Sequence, residues 1–154
     1  MSMILGSDYI DADNSFTTTL KTKGSKVYVM CHASVGISAN TPAVVQFTGS
    51  DYTATALAAG LYGYIGVPEG GSAISAGCTG WIQIRGAVED VQCSAAAAKG
   101  GVGESVAWTA ATLYGSSSAN QGREDIGQVG VFTAVANAST TISMYLTGMW
   151  ATPK

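Results

Sequence analysis

Trp81-Ile-Gln-Ile-Arg-Gly-Ala-Val-Glu-Asp-Val-Gln-Cys93 is the stretch whose reading decides the fold class. From Trp81 to Arg85 the residues alternate cleanly, as in a strand that turns successive side chains to opposite faces of a sheet. After Gly86, the run Ala87–Cys93 reads either as a continuation of that strand or as its hairpin partner.

The same signal recurs outward in both directions. Upstream, Lys26–His32 is rich in β-branched and aromatic residues, with Val27, Val29 and Cys31 on one face. Ala43–Thr48 lies between Pro42 and Gly49, and Leu61–Val67 stops at Pro68. Downstream, Val106–Leu113, Gln128–Ala134 and Thr141–Trp150 follow, set apart by clusters of Gly, Ser, Asn and Thr. Alanines at helical spacing occur in Tyr52–Ala59 and in Ala95–Lys99, but neither carries an amphipathic stripe three turns long. Regular short strands with turn signals between them predict an all-β fold, a small antiparallel β-barrel or β-sandwich. Residues 1–19 read as a polar N-terminal arm, and residues 20–154 as a single β domain.

Two passages resemble each other. Ile65–Gly86 and Val129–Gly148 each open on a strand carrying Gly-Val, cross a linker of small residues, and close on an alternating strand that ends in glycine. The pattern suits a fold built from related hairpins rather than a solenoid, which needs three or more repeats.

Composition narrows the function classes. Only 11% of the 154 residues are charged, against about 25% in ordinary domains, and glycine, alanine, serine and threonine fill the gap. Charge keeps surfaces soluble and apart, so a surface this poor in it is expected to be covered by partners. The net charge of −3 and the isolated trio Lys21, Lys23 and Lys26, read as a solvated strand edge, exclude nucleic acid as a partner, because phosphate binding needs several basic groups together. The N-terminus lacks a basic region followed by an apolar core, and no stretch approaches the ~20 apolar residues of a membrane span. The expectation is a chain made in a cytoplasm that engages no membrane.

The search for chemistry turns up decoys. Cys31, Cys78 and Cys93 have no paired spacing, and His32 is the single histidine, so no metal or cofactor is expected; the cysteines read as buried or half-buried thiols of a reducing compartment. On a strand, Cys31 and His32 point to opposite faces and cannot form a nucleophile–base pair. Asp8, Asp11 and Asp13 lack the order of a calcium loop and its closing Glu. Lys99-Gly-Gly-Val-Gly-Glu-Ser105 is similar to a P-loop, but Glu104 stands where the phosphate-binding lysine belongs. A carboxylate 4 Å from a phosphate charge costs about 4 kcal/mol at an effective dielectric of 20, so a glycine turn is the better reading. Nothing in the spacing of Glu69, Glu89, Asp90 and Glu104 brings them together as catalytic carboxylates, and the Asn137-Ala-Ser139 sequon has no meaning without secretion. No catalytic residue is assigned, and the protein is expected not to be an enzyme.

Ile65-Gly-Val-Pro, with Ser75-Ala-Gly and Gly80-Trp-Ile-Gln-Ile-Arg-Gly86, resembles a pattern of the small head decoration (cement) proteins of tailed bacteriophages. The closing Thr141–Trp150 is similar to the end strands of such chains. The resemblance covers about half the chain. It implies a β-rich virion protein, trimeric or dimeric, seated on the outer capsid surface and reinforcing the shell, with the major capsid protein as its partner. A tail or fibre component and a carbohydrate-binding, adhesin-like module using exposed Trp and Tyr are the alternatives. The partner-binding residues are placed in the arm, where Ile4, Leu5, Tyr9, Ile10 and Phe16 are isolated apolar side chains in a polar setting. A segment of that kind orders on a partner's surface.

Overall fold

The computed structural model describes residues 20–49, 51–58, 61–93, 99–108, 113–115, 128–137, 140–148 and 150–151. Its strands are β1 (Leu20–Lys23), β2 (Lys26–Ala33), β3 (Ala43–Phe47), β4 (Tyr52–Ala56), β5 (Gly63–Pro68), β6 (Thr79–Gln92) and β7 (Lys99–Gly100). They continue with β8 (Ser105–Trp108), β9 (Leu113–Gly115), β10 (Gln128–Phe132), β11 (Ala136–Asn137), β12 (Thr141–Thr147) and β13 (Trp150–Ala151). A single 3₁₀ turn, Glu69–Gly71, interrupts them among the described residues. The protein is all-β. The arm, with Ile4, Leu5, Tyr9, Ile10 and Phe16, lies outside the described residues.

Five strands close a barrel in the order β2-β4-β3-β5-β6, with β6 returning to β2. Four of its contacts are antiparallel; the seam between β2 and β4 is parallel, with Ala33 facing Ala54. So narrow a barrel has room only for small and β-branched side chains. Its interior is filled accordingly by Val29, Cys31, Ala33, Ala43, Val45, Ala54, Ile82 and Ile84. Ile37 and Ile74 join that core through a bridge whose two N–H···O bonds are both 2.9 Å.

Beyond Gly86, the chain continues as one strand, so β6 runs for 14 residues and Ala87–Gln92 is a continuation rather than a hairpin partner. Its first half lies in the barrel. Its second half pairs with β12 and begins an outer sheet ordered β6-β12-β10-β8-β9. Two irregularities bend β6 between these roles. One sits where Arg85 and Gln83 face consecutive residues of β2; the other is at Glu89–Asp90, opposite Ser143, with Asp90 at φ 54°. An extra residue on one strand bends it and increases its twist, which is what the transfer from barrel to sheet requires. Gln83, buried despite its polarity, pins the junction: its Nε2 donates to the Arg85 carbonyl at 3.1 Å and to the Ala87 carbonyl at 3.0 Å. Gly86 between them has φ 100°, a conformation open to glycine.

The outer sheet has its own core. Val88, Val91, Val106, Val129, Phe132, Ile142, Met144 and Leu146 pack with Val44, Ile65 and Val67, so β3 is buried on both faces, with Val45 in the barrel core and Val44 in the second one. The two resembling passages form hairpins of matching register. Val67 faces Gln83 as Val131 faces Tyr145, and Pro68 faces Ile82 as Phe132 faces Met144. Gly66 and Gly130 are tucked alike: a Cβ there would lie 2.7 Å from the Gln83 carbonyl oxygen and 2.5 Å from that of Tyr145.

Other segments depart from the expected pattern. Leu20–Lys23 and Tyr52–Ala56 are strands that alternation did not mark. Ser105–Trp108 and Leu113–Gly115 are separate antiparallel strands rather than one run. The closing segment breaks at Gly148, after which β13 returns to pair with β5.

Candidate functional site

A groove of about 350 Å³ lies at the end of the β5–β6 hairpin, lined among others by Pro68, Glu69, Ile74, Cys78, Thr79 and Trp81. The 3₁₀ turn after Pro68 carries Glu69, and the barrel half of β6 carries Trp81. β1 brings Lys21 against two of these lining residues. The Lys21 ammonium lies 2.7 Å from Glu69 Oε2, 4.5 Å from the centre of the Trp81 ring and 5.2 Å from that of Tyr28. Its side chain is only 9% exposed, which corrects the reading of Lys21 as a solvated edge lysine. A cation over an aromatic face is stabilised by roughly 0.5–2 kcal/mol, more as water is excluded. Beneath Lys21, burial raises the pKa of Tyr28, the Glu69 charge raises it further, and the Lys21 charge opposes both.

This arrangement holds chain segments together more readily than it performs chemistry. Glu69 is engaged by an ammonium, and Lys21 stands over the Trp81 ring that a sugar would need for stacking. Cys78 borders the groove and is exposed, unlike the buried or half-buried thiol expected there, whereas Cys31 is buried and Cys93 half-buried. Among the described residues, no group of three or more His, Cys, Asp and Glu side chains is placed to hold a metal.

The glycine-rich motif resolves into a turn. Glu104 N–H donates to the Gly101 carbonyl at 3.1 Å, and the Glu104 carboxylate accepts the Gly101 N–H at 2.9 Å. Gly103 N–H is bound to the Phe132 carbonyl at 2.9 Å, and the chain proceeds into strand β8 rather than a helix. Amides that a phosphate would need are already bonded within the protein. His32 is exposed at the end of β2 while Cys31 beside it is buried, as the opposite-face argument requires.

The remaining candidates are exposed apolar side chains. Phe47 and Tyr52 pack in a tilted pair across β3 and β4 with ring centres 5.2 Å apart, and Phe47 is 53% exposed. Tyr62, 54% exposed, is tied to the same edge because its carbonyl accepts from Gln46 Nε2 at 2.9 Å. Val102 and Val135, 66% and 74% exposed, occupy turns joined through the β7–β11 ladder and the Gly103–Phe132 bond. The arm residues Ile4, Leu5, Tyr9, Ile10 and Phe16 lie outside the described residues, and these exposed side chains join them as further candidates. The usable signals were Phe47 at a strand end just before Gly49, and Val102 between two glycines.

The fold and surface together define a closed β-barrel with an appended sheet and exposed apolar turns. No family model, curated protein or solved structure matches the chain.

Proposed function

We propose that this chain is a non-enzymatic structural protein of a tailed-phage virion, a decoration protein that binds the outer capsid surface and stabilises the shell. Its partners are the major capsid protein and further copies of itself, as a trimer or a dimer. The observation that carries the reading is the pairing of a charge-poor sequence with large apolar side chains left outside, Phe47, Tyr62, Val102 and Val135. Scattered apolar residues are normal on any surface. Here few charges stand between them and a neighbouring protein. The arm adds to this surface: each of Ile4, Leu5, Tyr9, Ile10 and Phe16 that is anchored returns roughly 1.5–3 kcal/mol of burial, so three or four sustain micromolar binding after ordering costs.

A tail or fibre location draws on the same surface argument. The carbohydrate-binding alternative draws less support, because Lys21 covers the Trp81 ring.

The test is sedimentation of the full chain with assembled shells of the phage that encodes it. The protein should pellet with shells, saturate at a fixed ratio to the major capsid protein, and stay in the supernatant alone. A chain that stays in the supernatant with intact shells, or that binds a glycan array instead, overturns the proposal.

A further inference from the structure

β1 is a weakly founded strand. It has four residues, pairs among the described strands with β2, and turns Leu20, Thr22 and Lys23 to solvent. Of its side chains only Lys21 is tucked in. That side chain crosses over Tyr28, its partner on β2, to reach Trp81 on β6 and Glu69 beyond β5. One ammonium therefore joins β1 to three successive pieces of the barrel wall. All three contacts lie outside the barrel core, and two of the residues, Glu69 and Trp81, border the groove.

We infer that Lys21 is a strap that locks β1 onto the barrel wall and thereby fixes where the preceding segment, residues 1–19, enters the fold. A short edge strand without an apolar anchor otherwise detaches at little free-energy cost, because local openings draw on few buried contacts. With Lys21 seated, the arm starts from one defined point beside the groove. With Lys21 withdrawn, the chain before the Gly24–Ser25 turn gains freedom that binding has to remove again. The strap thus pre-organises attachment, which lowers the entropy lost on binding. This consequence for attachment rests on the shell-binding reading above; the strap itself does not.

The experiment uses the full chain and compares Lys21→Met with Lys21→Arg. Methionine keeps the length and apolar stem and removes the charge, whereas arginine keeps both the ion pair and the contact with the rings. Hydrogen exchange followed by mass spectrometry is expected to show the amides of residues 20–23 exchanging at least tenfold faster in Lys21→Met, with β3 and β5 unchanged. Lys21→Arg should stay within about twofold of the natural chain. Unchanged exchange of residues 20–23 in Lys21→Met overturns the strap, and so does equal loss in both variants. Acceleration across the whole barrel also overturns it, because Lys21 is then a global stabiliser. Shell sedimentation of the same proteins reads the consequence: Lys21→Met should bind several-fold more weakly and Lys21→Arg should not. If the natural chain itself fails to bind shells, the shell-binding reading fails while the exchange result still decides the strap.

Discussion

The two halves of β6 share one backbone and meet different surroundings. From Thr79 to Arg85 the strand pairs with β2, and at Ile82 and Gln83 also with β5, which closes the barrel. From Gly86 to Gln92 it is flanked by β12, in a sheet that ends at β9. The barrel half is packed with small and β-branched side chains, and its ends are tied by the Ile37–Ile74 bridge and by Lys21. The outer half is packed by larger groups, Phe132, Met144 and Leu146, and leaves Val102 and Val135 outside. The difference is one of packing and not of exposure, since apolar side chains stand outside on both, Phe47 and Tyr62 at the barrel and Val102 and Val135 on the turns of the outer sheet.

The largest expected effect asks whether the halves are separable. Phe132→Ala empties the outer core and should cost about 3–5 kcal/mol, and Ile82→Ala in the barrel about 2–5 kcal/mol. Because β3 and β6 serve both cores, urea denaturation followed by circular dichroism should show one transition, moved to lower midpoint by either substitution. A Phe132→Ala protein in which half the signal unfolds early and the rest at the natural midpoint would make them independent units.

The matching glycines sharpen the comparison at smaller magnitude. A methyl group at Gly66 meets the branched side chains of Ile82 and Ile84 and the Gln83 carbonyl; at Gly130 it meets the pliable end of Met144 and the Tyr145 carbonyl. Both overpack the hairpin and should cost about 1–3 kcal/mol, with Gly66→Ala the more damaging of the two. Equal midpoints for the two variants would show that the barrel is no stiffer than the sheet.

The smallest effect concerns the thiols. Burial pushes the Cys31 thiol up to about 12 and raises that of Cys93, whereas Cys78 is exposed. Reaction with a thiol-specific disulfide reagent should therefore proceed in the order Cys78, Cys93, Cys31, the last only on unfolding. A thiol whose folded value is raised keeps its full contribution below its ordinary 9.0 and loses it as pH climbs from there towards about 12. The unfolding midpoint should fall more steeply over that alkaline window in the natural chain than in Cys31→Ala.

Much of this was legible in the sequence, for identifiable reasons. Trp81–Arg85 and Thr141–Thr147 alternate because each has one face in a core, and the alternation gave the fold class. The Gln-x-x-Gly spacing of Gln83 and Gly86 is visible in sequence, but its meaning is structural: the amide of Gln83 bridges the carbonyls on either side of a glycine that bends the strand. Tyr52–Ala56 shows alanines at helical spacing in place of a strand signal because the barrel interior demands a small residue at Ala54, and alanine does not favour strands. Leu20–Lys23 escaped notice because its one anchored residue is a lysine. The Lys21–Glu69–Trp81 cluster was illegible altogether: Lys21 and Glu69 are 48 residues apart, and only barrel closure brings them together.

The central claim is that this surface reinforces a capsid, and the most direct measurement is the thermal disruption of shells followed by release of their packaged DNA. Shells stripped of the protein and then saturated with it should release DNA at a temperature several degrees higher than stripped shells, with the gain following occupancy. Release at an unchanged temperature from fully occupied shells would contradict the account.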